Sequence, residues 1–169
     1  DEAVVRACKE HIPSVSCALN DPRLSLIIDD GVKYIEKTEE RFDVILIDST
    51  DPIGPAQPLF GEEFYQNVAS HLNSKGIVVS QAESVFWGKE LQESLLKILK
   101  KTFQHLYLYN YSNLTYPGGL WSFSFASQET EPFPYDLGKK IQESQFPFRY
   151  YNECMHKGAF SLPSFQWEQ

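Results

Sequence analysis

Residues 43–60 constrain this chain more than any other stretch. Asp43 leads into Val44-Ile45-Leu46-Ile47, which ends in Asp48-Ser49-Thr50-Asp51, and Pro52-Ile53-Gly54-Pro55-Ala56-Gln57-Pro58-Leu59-Phe60 follows. The unbroken apolar run predicts a strand buried on both faces, which means a parallel central strand. Three prolines and a glycine then exclude regular structure until about Gly61. In open α/β sheets, ligands bind beyond the carboxyl ends of the strands. Asp48 and Asp51 are therefore expected where such a fold does its chemistry. The same string is also good turn chemistry, because Asp, Ser and Thr bond nearby backbone amides. Taken alone, the run leaves both readings open.

The rest of the chain narrows the classes. Its 169 residues fit one domain with a real core, and aromatic (14%) and charged (22%) content is that of a globular protein. A formal charge of −8 argues against nucleic acid and suits a cationic partner. Cys8, Cys17 and Cys154 are odd in number and widely spaced, giving neither a disulfide framework nor a zinc pattern. No apolar run of membrane-spanning length and no signal peptide is present, so a cytoplasmic location without membrane partners is expected. The sequence opens at Asp1 directly in a helical pattern, without Met, and we expect its N-terminal part to be missing.

Periodicity gives the elements. A helix is expected over residues 1–11 with Ala3, Val4, Ala7 and Cys8 on one face, stopped by Pro13. A turn at Asn20-Asp21-Pro22 leads to a short strand at 23–28 and a brief helix over Gly31–Lys37, with Val32 and Ile35 inward. The strand at 43–48 precedes a helix over Gly61–Leu72 that buries Phe64, Val68 and Leu72, then a second buried strand at 77–81. From Lys89 to Thr102, Leu91, Leu95, Ile98 and Leu99 form a stripe, with Lys97, Lys100 and Lys101 on the polar face. Alternation in 106–109 and 121–127 predicts an antiparallel pair joined by 112–120. A short helix after Pro134 and an irregular aromatic tail complete the chain. The fold class is α/β, a mostly parallel Rossmann-like sheet of the class I methyltransferase type, with an antiparallel C-terminal hairpin and its first strands absent. Residues 1–169 form a single catalytic domain in this reading.

Several segments together resemble the spermidine synthases, the polyamine aminopropyltransferases. They are Asp48-Ser49-Thr50-Asp51-Pro52-Ile53-Gly54-Pro55-Ala56, Asp30-Gly31 after the preceding strand, Gln81 ending the next one, and Tyr116-Pro117 in the hairpin loop. The tail contributes Tyr150-Tyr151-Asn152, His156, Ala159-Phe160 and Leu162-Pro163. The resemblance implies transfer of an aminopropyl group from decarboxylated S-adenosylmethionine to putrescine, giving spermidine and methylthioadenosine. The donor is then a co-substrate, and neither a cofactor nor a metal is expected, because a sulfonium is already a good leaving group.

The residue types suit that reaction. An alkylamine with a pKa of about 10.4 is protonated at neutral pH and has no lone pair for attack. A carboxylate beside it can hold it and take its proton, and the resemblance gives that role to Asp48. Asp51 is implied to bind the second ammonium without deprotonating it. Ser49 and Thr50 belong to the same loop, and Gln81 and Tyr116 offer neutral hydrogen bonds that orient the amine. On the nucleoside side the resemblance implies Asp30 accepting from the adenine amino group, Gly31 letting backbone approach the ring, and Pro55 and Leu59 as an apolar wall. The alternative for Asp30 is helix N-capping. Glu83 is a weaker candidate for polyamine contact. Trp121, Phe123 and Phe125 read as core, and His156 as a structural hydrogen-bonding residue.

The sequence departs from the family in lacking the β-rich N-terminal domain, the Gly-rich loop and the acidic residue for the ribose. Unpaired strand edges are then expected, and residues 1–169 alone are expected to be inactive and poorly soluble. The full-length protein is expected to be a homo-oligomer. Competing readings are an amine N-methyltransferase on the same scaffold and a catalytically silent binding or assembly fragment. Metal-assisted phosphoryl transfer or hydrolysis is disfavoured by the spacing of Asp48 and Asp51 and the prolines that follow.

Overall fold

The computed structural model describes residues 1–50 and 54–166, with Pro55 described by its backbone alone. The chain divides into two compact units, Asp1–Thr38 and Glu39–Gln169.

In the first unit, α1 (Glu2–His11) starts where the Asp1 carboxylate accepts from the Ala3 amide at 2.7 Å. It stops before Pro13, which opens the single turn α2 (Pro13–Ser16) because it has no amide to extend the ladder. The apolar face expected on α1 does not enter a core: Cys8 is half-buried, and Ala3, Val4 and Ala7 are exposed. A 3₁₀ turn at Cys17–Asn20 leads to a corner where Asp21 pairs with the Arg23 guanidinium at 2.8 Å. Residues 23–28 do not form the expected strand. They pair with no strand among the described residues, and Leu24, Leu26, Ile27 and Ile28 are 46% to 56% exposed. An extended apolar run becomes a strand only where a neighbour takes up its N–H and C=O groups. α3 (Gly31–Lys37) forms as expected, with Ile35 buried and Val32 half-buried.

The second unit is built on one sheet. Strands β1 (Phe42–Ile47), β2 (Leu72–Gln81), β3 (His105–Ser112) and β4 (Leu120–Ser127) lie in the order β1-β2-β4-β3. β1 runs parallel to β2, and β4 is antiparallel to both of its neighbours. Helix α4 (Glu62–Ser70) links β1 to β2, and α5 (Lys89–Thr102) links β2 to β3. The mixed α/β sheet with an antiparallel C-terminal pair is the architecture the alternating pattern predicts.

Several details differ. β1 lies at the sheet edge, as expected where its neighbour is missing, but it is not buried on both faces. Among the described residues its ladder runs to β2 alone, and Val44 and Leu46 are 51% and 71% exposed. β2 begins at Leu72 rather than at 77, because Phe42 pairs with Leu72 and a bulge follows before Val44 meets Ile77. A 3₁₀ helix spans Gly54–Phe60 despite its prolines, whose fixed φ suits such a turn. The buried stripe of α5 is Gln92, Leu95, Leu96 and Leu99, while Leu91 stands 42% exposed. Gln92 is admitted to that inner face because its Nε2 donates to the Ala82 carbonyl at 2.5 Å. The tail is not wholly irregular. Asn152 caps α7 (Glu153–Ala159) by accepting from the Met155 amide at 2.9 Å. The short helix after Pro134 is α6 (Leu137–Glu143), with Leu137 buried and Ile141 half-buried as expected.

The sheet has two unlike faces. On one, Val78, Ser80, Ser122, Ser124 and Ala126 are each at most 1% exposed, beneath α4 and α5. Tyr65 of α4 donates from its hydroxyl to Ser80 Oγ at 3.2 Å. The serines are small enough to let the helices approach closely. On the other face, Tyr107, Tyr109, Tyr111, Phe123 and Phe125 form an aromatic ladder that receives Phe160 from the end of α7. His156 is structural, as expected. A carbonyl only accepts, so Nε2 donates to Pro132 at 2.7 Å, which leaves Nδ1 to accept from the Tyr151 hydroxyl at 2.9 Å.

Candidate active site

Parallel pairing of β1 and β2 brings their carboxyl ends together. Ile47 lies opposite Ser80, so Asp48 leaves β1 beside Gln81, the last residue of β2. β4 enters the sheet at this same end, since it is antiparallel to β2 and Gln81 faces Phe123. The Ala82 amide donates to Ser122 O at 3.0 Å and the Ser122 amide to Glu83 O at 2.9 Å, carrying the pairing past the end of β2. The β3–β4 loop, with Tyr116 and Pro117, therefore closes over the exit of both strands.

The result is a cleft of about 820 Å³ lined by Asp48, Ser49, Thr50, Gln81, Trp87, Tyr111, Tyr116, Pro117 and Trp121. Five of the six residues expected to bind the amine meet there: Asp48, Ser49, Thr50, Gln81 and Tyr116. Asp51, the sixth, lies outside the described residues.

Three aromatic residues of the cleft escape the sequence reading. Trp121 is not core. It is half-buried, its ring lies 5.0 Å from that of Tyr116, and its indole N–H donates to Pro117 O at 3.2 Å. The strand's alternation gave the signal, but it is the serines between the aromatics that take the fully buried face. Tyr111 reaches the cleft from β3, its ring stacked on Phe123 at 4.8 Å. Trp87 comes from the turn before α5, where no periodic pattern marks it. Glu83 does not join them. It is 8% exposed at a left-handed φ of 59°, and a Cβ on Gly88 would fall 2.7 Å from its own Cβ.

Of the residues expected at the nucleoside, Asp30 and Gly31 belong to the first unit and Leu59 to the second. Asp30 caps α3, its Oδ1 accepting from the Val32 amide at 3.0 Å and the Lys33 amide at 3.3 Å. Those bonds, that of Lys33 foremost, hold its carboxyl below the usual carboxylate range. Gly31 is the first residue of the helix. Leu59 is half-buried in the 3₁₀ turn and does not line the cleft. The side chain of Pro55 lies outside the described residues.

Chemically, the described lining of the cleft places the Asp48 carboxylate among aromatic rings and neutral hydrogen-bonding groups. That combination suits an organic ammonium, which is attracted by both a carboxylate and ring faces. Burial pushes the Tyr109 hydroxyl upward, with Tyr111 adding to the effect. Among the described residues, no cluster of His, Cys, Asp and Glu is placed to hold a metal ion, and no helix is long and apolar enough to cross a membrane.

Known proteins are similar to this chain in sequence and fold. Residues 1–135 match the family model described as the spermine/spermidine synthase domain. A polyamine aminopropyltransferase of Methanocaldococcus jannaschii is 41% identical, the match covering 98% of this chain and 57% of that protein. A crystal structure of spermidine synthase in complex with the transition state analogue AdoDATO superposes with a TM-score of 0.93 at 34% identity, covering 99% of this chain and 58% of that one. Human methyltransferase-like protein 13 in complex with SAH shares the fold, with a TM-score of 0.62 at 20% identity over 90% of this chain and 72% of its own. The chain thus spans somewhat more than half the length of the first two proteins.

Proposed function

We propose that this chain, which belongs to the spermine/spermidine synthase domain family, carries the amine half of a spermidine synthase site. The observation that carries the reading is the meeting of Asp48, Ser49, Thr50, Gln81 and Tyr116 in one cleft at the carboxyl ends of β1 and β2. The substrates are putrescine and decarboxylated S-adenosylmethionine, and the products are spermidine and methylthioadenosine.

In this reading Asp48 holds one ammonium of the diamine and accepts its proton. The freed lone pair attacks the aminopropyl carbon next to the sulfonium. The new C–N bond forms as the C–S bond breaks, and its electron pair returns to sulfur as the neutral thioether of methylthioadenosine. Gln81 and Tyr116 fix the direction of attack with neutral hydrogen bonds, so they add no positive charge to a site already holding a sulfonium and an ammonium. Asp51 holds the distal ammonium. Asp30, Gly31, Pro55 and Leu59 serve the nucleoside, and the whole protein assembles as a homo-oligomer in the cytoplasm. These last assignments rest on the family resemblance.

The test is donor choice in the whole protein. With putrescine and decarboxylated S-adenosylmethionine, spermidine and methylthioadenosine should accumulate in equal amounts. S-adenosylmethionine in its place should give no methylated amine. Methyl transfer without aminopropyl transfer would replace this reading with an amine methyltransferase.

A further inference from the structure

The loop that brings Tyr116 to the cleft, residues 113–119, has no regular structure, yet its shape is fixed at several points. The Asn113 amide donates to Gly119 O at 2.8 Å, closing the loop at its base. Gly118 and Gly119 turn the chain through left-handed conformations, at φ 82° and 68°. A Cβ on Gly118 would lie 2.8 Å from Trp87 Nε1, so the loop rests directly on that indole.

The side chain of Asn113 does more than any of these. Its Oδ1 accepts from the Thr115 amide at 2.9 Å, the Thr115 hydroxyl at 2.8 Å and the Tyr116 amide at 3.2 Å. Two of those donors are backbone N–H groups, which fixes which end of the amide is oxygen. Nδ2 is therefore turned the other way, where it donates to the Tyr111 hydroxyl at 3.3 Å. Tyr111 belongs to β3, and its ring is held by stacking on Phe123. One side chain thus joins the backbone under one phenol of the cleft to the hydroxyl of the other.

We propose that Asn113 is a positioning residue for the amine site, setting Tyr116 relative to Tyr111 without touching the substrate. The inference rests on the cleft being an amine site. An unfastened 113–119 loop still closes the hairpin, but Tyr116 no longer has a fixed place, and the ordering of that loop is then paid when the amine binds. Asn113→Ala removes all four bonds. Asn113→Asp keeps the three that fasten the loop, since a carboxylate accepts from the same donors, and the Tyr111 hydroxyl can donate to its second oxygen.

The experiment titrates the whole protein and both variants in it with putrescine, and follows hydrogen exchange at the Tyr116 amide in parallel. Asn113→Ala should weaken putrescine binding about tenfold, as for loss of one or two net hydrogen bonds, and speed Tyr116 exchange by a similar factor. Asn113→Asp should stay within about threefold of wild type in both. Wild-type affinity in Asn113→Ala, or equal weakening in both variants, overturns the positioning role alone. Absence of putrescine binding by the wild-type whole protein overturns the amine-site reading, and the positioning role with it.

Discussion

The two faces of the sheet solve the same problem with opposite materials. Beneath α4 and α5 the sheet presents Ser80, Ser122, Ser124, Val78 and Ala126, small side chains over which helices sit closely. The opposite face presents Tyr107, Tyr109, Tyr111, Phe123 and Phe125, which build a layer of rings received by Phe160. The first face is closed along the strands. The second is closed near α7 and open along β1, where Leu46 is 71% exposed. Stability therefore belongs mainly to the helical face, and ligand chemistry to the end of the sheet where the aromatic face runs into the loops. The same strand, β4, serves both, with serines on one side and Trp121, Phe123 and Phe125 on the other.

That contrast can be broken at three depths. Leu99, fully buried under the helical face, should cost about 2–5 kcal/mol when replaced by alanine, measured by chemical denaturation. A cost below about 1 kcal/mol would mean that this face is not the stabilising one. Tyr65 sharpens the point through pH. Burial pushes its hydroxyl up from 10.0 to about 12, with the Ser80 hydrogen bond acting in the opposite direction. The unfolded chain ionises first, so the contribution is complete below pH 10 and disappears as pH rises to 12. Over that window wild type should lose about 3 kcal/mol more than Tyr65→Phe. At the open edge, Leu46→Ser should change stability by no more than about 0.5 kcal/mol. A large loss there would show that the outer side of β1 is covered in solution.

Much of this was legible in the sequence because the signals were periodic. The β1, β2, β3 and β4 runs and the helices α3, α4 and α5 follow from pattern, whereas the meeting of Asp48, Gln81 and Tyr116 was implied by the family resemblance. What escaped did so for identifiable reasons. Residues 23–28 have strand composition, but an extended segment is completed by a partner that its own pattern does not contain. The run at β1 reads as buried on both faces, whereas burial is decided by what lies alongside it. Gln92 broke the apolar stripe of α5: its Nε2 is bonded to Ala82 O, while its buried Oε1 has no partner among the described residues. Trp121 was assigned to the core because alternation gives two faces without saying which one the helices cover. Trp87 and Asn113 lie in turns, where the contacts that matter join residues from different strands and loops.

The central claim is that Asp48 takes the proton from the attacking amine, and Asp48→Asn in the whole protein tests it most directly. Asparagine keeps the shape and cannot accept that proton. Turnover should fall by about 10²–10⁴-fold, while methylthioadenosine binds as in wild type. Turnover near wild type, or loss of methylthioadenosine binding in place of turnover, would contradict the role given to Asp48.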